Sequence, residues 1–223
     1  MSMREKLSRE RMAELVAQDI EPNAYVNLGI GIPTLVADRL DLTRGITLHS
    51  ENGILGMRGL QDGETPDPDL MNATKEPVML VSGSSITDHV VSFCMMRGGH
   101  LDLTVLGAFQ VSAQGDLANW DTGIADSIPA VGGAMDLVAG ARRVFVMMQH
   151  QDKDGGPKIV QECSYPLTGA RVVDRIYTDL AIIDVLPEGL EVRGMVEGLT
   201  LEQLQARTGV PLKHSAECAV LKP

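Results

Sequence analysis

Ala24-Tyr25-Val26-Asn27-Leu28-Gly29-Ile30-Gly31-Ile32-Pro33-Thr34 is the stretch whose reading decides the fold. Ala24 to Leu28 reads as a short buried strand, a brief apolar run closed by turn residues. Gly29 to Thr34 ends it, and Leu35 to Leu40 reads as the helix that follows. Pro33 suits a first helical turn, where its missing N–H breaks no bond.

Outward from that stretch, the pattern repeats. Ile46 to His49 is a second apolar strand and runs straight into Ser50-Glu51-Asn52-Gly53. Upstream, residues 4–20 read as a helix, with Leu7, Met12, Leu15, Val16 and Ile20 near one face. Downstream, Val78 to Val81, Leu101 to Ala108 and Val144 to Met148 read as strands. Asp88 to Arg97 reads as a helix stopped by Gly98-Gly99, and Ala134 to Ala139 as a short one. Gly59 to Pro68 and Gly115 to Ala130 read as loops. In the last third, Val172 to Ile176, Leu180 to Val185 and Leu190 to Val192 read as strands. Pro187-Glu188-Gly189 is a tight turn, and Leu201 to Ala206 a final helix. Strands alternating with helices imply an α/β fold, a three-layer open sheet with helices on both faces. Residues 1–223 read as a single domain. In such sheets ligands sit beyond the carboxyl ends of the strands, where Gly29–Thr34 and Ser50–Gly53 both fall.

The bulk numbers restrict the function. A net charge of −11 with pI near 4.8 argues against nucleic acid and anionic membrane surfaces as partners. Three distant cysteines, Cys94, Cys163 and Cys218, imply reduced thiols rather than a disulfide framework. No run approaches the roughly 20 apolar residues of a membrane span. With no signal-like N-terminus, a cytoplasmic location is expected. Aromatics are 3% of the chain and Met numbers 12, so aliphatic and thioether side chains must fill the core. Cys94, in an apolar helix, reads as part of it.

Four features carry candidate chemistry. Glu51 lies at the end of an apolar strand, where a carboxylate can attack an activated acyl carbon and Gly53 lets a bulky substrate approach the backbone. Asn52-Gly53 is also a strong turn signal, and from position alone an ordinary surface turn is the plainer reading. Gly29-Ile30-Gly31 lacks the third glycine of a dinucleotide fingerprint; it reads as a turn near a ligand or as a purely structural one. Gly132-Gly133 can offer N–H groups to an oxyanion, although a flexible loop before a helix is the plainer reading. The five histidines show no zinc spacing, so no metal is expected. Ser84-Ser85 lacks the elbow of a serine hydrolase.

Ser50-Glu51-Asn52-Gly53-Ile54-Leu55-Gly56 resembles the hallmark of class I CoA-transferase β subunits. The resemblance continues in residues 26–35, in Met96-Arg97-Gly98-Gly99-His100, in residues 115–120 and 132–137, and in Pro166-Leu167-Thr168-Gly169. These blocks span nearly the whole chain in the expected order. The resemblance implies the CoA-transferase (NagB/RpiA-like) fold and an α subunit partner in an α2β2-type assembly. It implies Glu51 as the nucleophile that carries a covalent glutamyl-CoA thioester, with CoA as substrate and no permanently bound cofactor. Part of the oxyanion site falls to the Gly133 N–H. Gly29, Gly31, Asn52, Gly53 and Lys75 become candidates for contacts to CoA or substrate, Lys75 reading also as a solvated surface lysine.

Two departures stand in the active loop. Gly56-Met57-Arg58-Gly59 replaces the family's Gly-x-Gly-Pro, and Asn72-Ala73-Thr74-Lys75 replaces Asn-Ala-Gly-Lys. Arg58 is therefore a candidate for a substrate carboxylate or a CoA phosphate. Residues 127–135, 142–148 and 175–180 look more like the 3-oxoadipate enzymes than the acetoacetate enzymes of the family. Succinyl-CoA and a 3-oxo acid are the expected substrates. The rival readings are an acetoacetate enzyme, a CoA hydrolase, and a binding module with no chemistry.

Overall fold

The computed structural model describes residues 6–123 and 128–223. Arg4 and Glu5 of the expected first helix and Ser127 of the quoted 127–135 block lie outside the described residues.

Five parallel strands form the centre: β1 (Tyr25–Leu28), β2 (Thr47–Ser50), β5 (Leu103–Leu106), β8 (Val144–Met148) and β10 (Arg175–Thr178). Their spatial order is β2-β1-β5-β8-β10. The order reverses between β1 and β5, and the crevice at such a reversal is where doubly wound sheets bind ligands. β8 explains the architecture in one strand. All five of its residues are buried, with Val144, Val146 and Met148 in one core and Phe145 and Met147 in the other. A strand covered on both faces has no polar side, hence its unbroken apolar run.

The helices cover the two faces. α1 (Arg9–Asp19) packs Met12, Leu15 and Val16 beneath the sheet. Ser8 caps it by accepting a bond from the Arg11 N–H at 3.0 Å. α2 (His89–Arg97) and α3 (Ala134–Gly140) cover the other face through Met96, Leu137 and Val138. Asp88 caps α2 at the Val91 N–H. A small sheet of β6 (Gln110–Ser112), β7 (Leu117–Ala118) and β9 (Ile159–Val160) shares that face. So does α4 (Leu201–Gln205), through Leu204.

Further strands extend both edges to give a ten-stranded sheet, each antiparallel to its inner neighbour except β13, which runs parallel to β12. β3 (Ile54–Gly59) and β4 (Val78–Ile86) continue from β2. β11 (Ala181–Leu186), β12 (Gly189–Val196) and β13 (Leu212–Leu221) continue from β10.

Several expectations need correction. Residues 4–20 narrow to a helix beginning after Ser8. The expected helix from Leu35 to Leu40 is a 3-10 helix, Ile32–Arg39. It opens from Gly31 at φ 91 with an i to i+3 bond, Thr34 N–H to Gly31 O at 3.1 Å. β3 and β13 have no counterpart among the expected strands. β3 carries a bulge at Gly56, φ 84, and glycine within a strand weakens its pattern. β13 is an edge strand with polar residues along it. Cys94 is exposed rather than core. α2 buries Ser92 and Met96, four residues apart, and leaves Val90, Val91 and Cys94 turned outward.

Candidate active site

Glu51 sits in the three-residue connection between β2 and β3, where Ser50 pairs with Ile54. The Gly53 N–H closes the turn on Ser50 O at 2.9 Å, and Gly53 O accepts from the Thr87 N–H at 2.9 Å. Gly53 has φ 112, and a Cβ there would lie 2.1 Å from Thr87 O, so only glycine fits. Asn52 donates from its side chain to Met71 O at 2.8 Å. The turn is thus tied to its neighbours on both sides of Glu51.

Beneath it lies a chain of buried polar groups. Asn27 and His49 meet at 3.1 Å (Nδ2 to Nδ1), and His49 Nε2 meets Ser92 Oγ at 3.0 Å. Asn27 also donates to His49 O at 3.2 Å, and Ser92 Oγ to Ser50 O at 3.4 Å. An amide N–H into Nδ1 leaves Nε2 as the protonated nitrogen, which donates to Ser92. Burial holds the imidazole neutral by lowering its pKa from 6.5 to about 4. Ser50 Oγ accepts from the Ala73 N–H at 2.9 Å. Every link ends on the residues just before Glu51, so the network fixes where the turn projects.

The carboxylate meets the start of α3. The Gly133 N–H donates to Glu51 Oε2 at 3.1 Å across 82 residues of sequence. A Cβ on residue 133 would fall 2.3 Å from that oxygen, so any other side chain would push Glu51 away. One carboxylate oxygen is therefore held by a backbone donor at the mouth of a cleft. The cleft has a volume of about 720 Å³, a size suited to a small-molecule site. It runs from Glu51 and Gly133 past Gly29 to Leu106–Phe109, over the carboxyl ends of β1 and β5. The fold's reversal point and the candidate nucleophile thus share one cavity.

The other expected residues divide. Gly29 and Arg58 line the cleft with Glu51 and Gly133. Gly29 packs closely: a Cβ there would lie 2.8 Å from Leu106 Cδ2 and 3.1 Å from Val105 O. The Arg58 guanidinium is held by both oxygens of Glu64 at 2.7 Å each, which lowers the Glu64 pKa to about 2. Gly31, Asn52, Gly53 and Lys75 do not line it. Gly31 has φ 91 with open space around it, and Lys75 is exposed with φ 66. Sequence reasoning passes over the Asn27–His49–Ser92 chain and Lys158. No local signal marks the first, because its members come from three separate elements. For Lys158 the only available hint is a lone charge beside the apolar pair Ile159-Val160.

Among the described residues no group of three or more His, Cys, Asp or Glu is placed to hold a metal ion. No helix among them is long and apolar enough to cross a membrane.

The sequence profile of the coenzyme A transferase family matches residues 9–207. The chain is 57% identical to a 3-oxoadipate CoA-transferase subunit of Pseudomonas putida, across 95% of this chain and 99% of that protein. It is 44% identical to a subunit of the "Probable succinyl-CoA:3-ketoacid coenzyme A transferase" of Bacillus subtilis, across 91% and 94%. Its fold matches the acyl-CoA transferase YdiF from Escherichia coli O157:H7 with a TM-score of 0.73 at 20% identity. That match covers 96% of this chain but 43% of the longer YdiF chain.

Proposed function

This chain belongs to the coenzyme A transferase family, and on that premise we propose that it is the β subunit of a 3-oxoadipate CoA-transferase with Glu51 as nucleophile. The observation that carries the reading is the Glu51 carboxylate bound to the Gly133 N–H at the mouth of the cleft. Its free oxygen attacks the thioester carbonyl of succinyl-CoA and expels CoA thiolate, leaving an acyl-glutamyl anhydride. The thiolate then adds to the glutamyl carbonyl and releases succinate, which leaves a glutamyl-CoA thioester. The incoming 3-oxo acid reverses both steps. Each addition to the glutamyl carbon places negative charge on the oxygen facing Gly133, where a prealigned N–H stabilises it.

The choice of acceptor rests on relatedness: 57% identity to a 3-oxoadipate enzyme's subunit against 44% to a succinyl-CoA:3-ketoacid enzyme's subunit. Both relatives are named as subunits, which supports an α partner and an α2β2-type assembly. Arg58 helps bind substrate only if Glu64 releases it, and Arg58→Ala with unchanged KM values would remove it from the site.

The deciding experiment is mass spectrometry of this chain, co-expressed with its α partner and mixed with succinyl-CoA. A CoA adduct on Glu51 is expected. An enzyme that turns over with no adduct would overturn the mechanism. Free CoA and succinate formed without an acceptor acid would instead indicate a hydrolase.

A further inference from the structure

The cleft poses an electrostatic problem that one lysine is placed to solve. Three carboxylates line it, Asp38, Glu51 and Glu76, against two cations, Arg58 and Lys158. The chain as a whole carries −11. An acyl group with a free carboxylate enters this field against repulsion unless a cation receives it. Arg58 is already bound to both oxygens of Glu64. Lys158 forms no ion pair among the described residues.

Lys158 is also held in place. Its O accepts from the Val111 N–H at 3.0 Å and its N–H donates to His150 O at 3.3 Å, fixing it between β6 and the end of β8. Its side chain crosses to the carboxyl end of β5 and donates to Ala108 O at 2.7 Å. Ala108 and Lys158 both line the cleft. An ammonium carries three donors, so two remain after Ala108 is satisfied. Burial lowers its pKa, and Asp179 and Asp152 oppose that shift without forming an ion pair with it. A carboxylate arriving beside it would relieve that cost.

We propose that Lys158 is the counter-ion for the free carboxylate of the acyl group that passes over Glu51. The inference rests on the reading of the chain as a transferase between two dicarboxylic acyl groups. Succinyl and 3-oxoadipyl groups each end in a carboxylate beyond the reacting carbon. A flexible four-carbon stem lets one ammonium meet both chain lengths. In ping-pong kinetics kcat/KM for each substrate reports its own half-reaction, so donor and acceptor are tested separately.

The test compares the complete enzyme with its Lys158→Met and Lys158→Gln variants on succinyl-CoA, 3-oxoadipate and acetoacetate. Lys158→Met is expected to lower kcat/KM for succinyl-CoA and 3-oxoadipate roughly 10- to 100-fold, the worth of one charge-assisted hydrogen bond. Acetoacetate, with no distal carboxylate, should lose less than about threefold. Lys158→Gln should show the same discrimination, since its amide offers Ala108 a donor but the acyl group no charge. Equal losses on all three substrates, no loss at all, or full recovery in Lys158→Gln would overturn the inference, because a purely structural donor is then sufficient. If the unsubstituted enzyme uses acetoacetate as well as 3-oxoadipate, the reading of the acceptor fails, while the succinyl-CoA arm still decides Lys158.

Discussion

Two tight turns of the same sheet each carry a glutamate, and only one of them lines the candidate site. Glu51 lies between β2 and β3, and Glu188 lies between β11 and β12 in Pro187-Glu188. Both turns lean on a glycine with positive φ, Gly53 at 112 and Gly189 at 120. Glu188 is exposed, and its carbonyl accepts from the Lys213 ammonium at 2.5 Å. Glu51 is pressed against Gly133, above a buried polar chain, at the mouth of a cavity. A turn becomes a candidate active site through what crosses above it and what anchors it below; its own residues are not enough.

The largest expected contrast comes from removing the two carboxylates in turn. Glu51→Gln in the complete enzyme should cut turnover more than about 10⁴-fold, as loss of a covalent nucleophile does. Glu188→Gln should leave turnover unchanged. Steady-state assays with succinyl-CoA decide it, and comparable losses in both variants would erase the distinction.

The second contrast concerns the glycine that faces the carboxylate. Gly133→Ala places a methyl 2.3 Å from Glu51 Oε2. Turnover should fall about 100-fold, the loss of one aligned oxyanion donor. Gly189→Ala meets nothing closer than Lys213 Cε at 3.9 Å. It should cost about 1–2 kcal/mol of stability through backbone strain and nothing in kcat. Thermal unfolding and kinetics on both variants separate the two effects.

The third prediction concerns pH and two buried histidines, one near the site and one away from it. His49 and His150 are each lowered from 6.5 to about 4 by burial, with the nearby Asp179 opposing the effect for His150. The unfolded chain therefore binds protons between those values while the folded chain does not. The contribution of each neutral imidazole is complete above pH 6.5 and shrinks as pH falls toward 4, by on the order of 3 kcal/mol each. Urea denaturation across pH 4 to 7 should show that loss. Ser92→Ala should remove about 1–3 kcal/mol at neutral pH by leaving His49 Nε2 unpaired. Stability flat across the window would mean that the imidazoles are not sealed from solvent.

Much of the fold is legible in residue order. β8 can be read to the residue from five consecutive apolar side chains, and α2 from the run of residues up to Arg97 that Gly98-Gly99 stops. β3 escapes because Gly53, Gly56 and Gly59 interrupt any alternation, and β13 because an exposed edge carries polar residues that resemble a loop. Cys94 misleads because apolar composition does not say which side of a helix faces inward. For the site, the hallmark around Glu51 is visible, and so is the glycine pair at 132–133. Asn52 and Gly53 adjoin Glu51 in sequence, and Gly31 and Lys75 belong to other blocks of the resemblance, yet all four stand outside the cleft lining.

The sequence by itself determined the alternation of strands with helices, because strand burial and turns are written in near neighbours, and the family resemblance of Ser50 to Gly56 singled out one glutamate. Tertiary structure alone decided that the N–H of residue 133 meets the side chain of residue 51. It alone decided that Arg58 is bound to Glu64 while Lys158, among the described residues, forms no close ion pair. Both facts depend on distances between segments far apart in the chain, and those distances exist only once the two cores have packed on either face of the sheet.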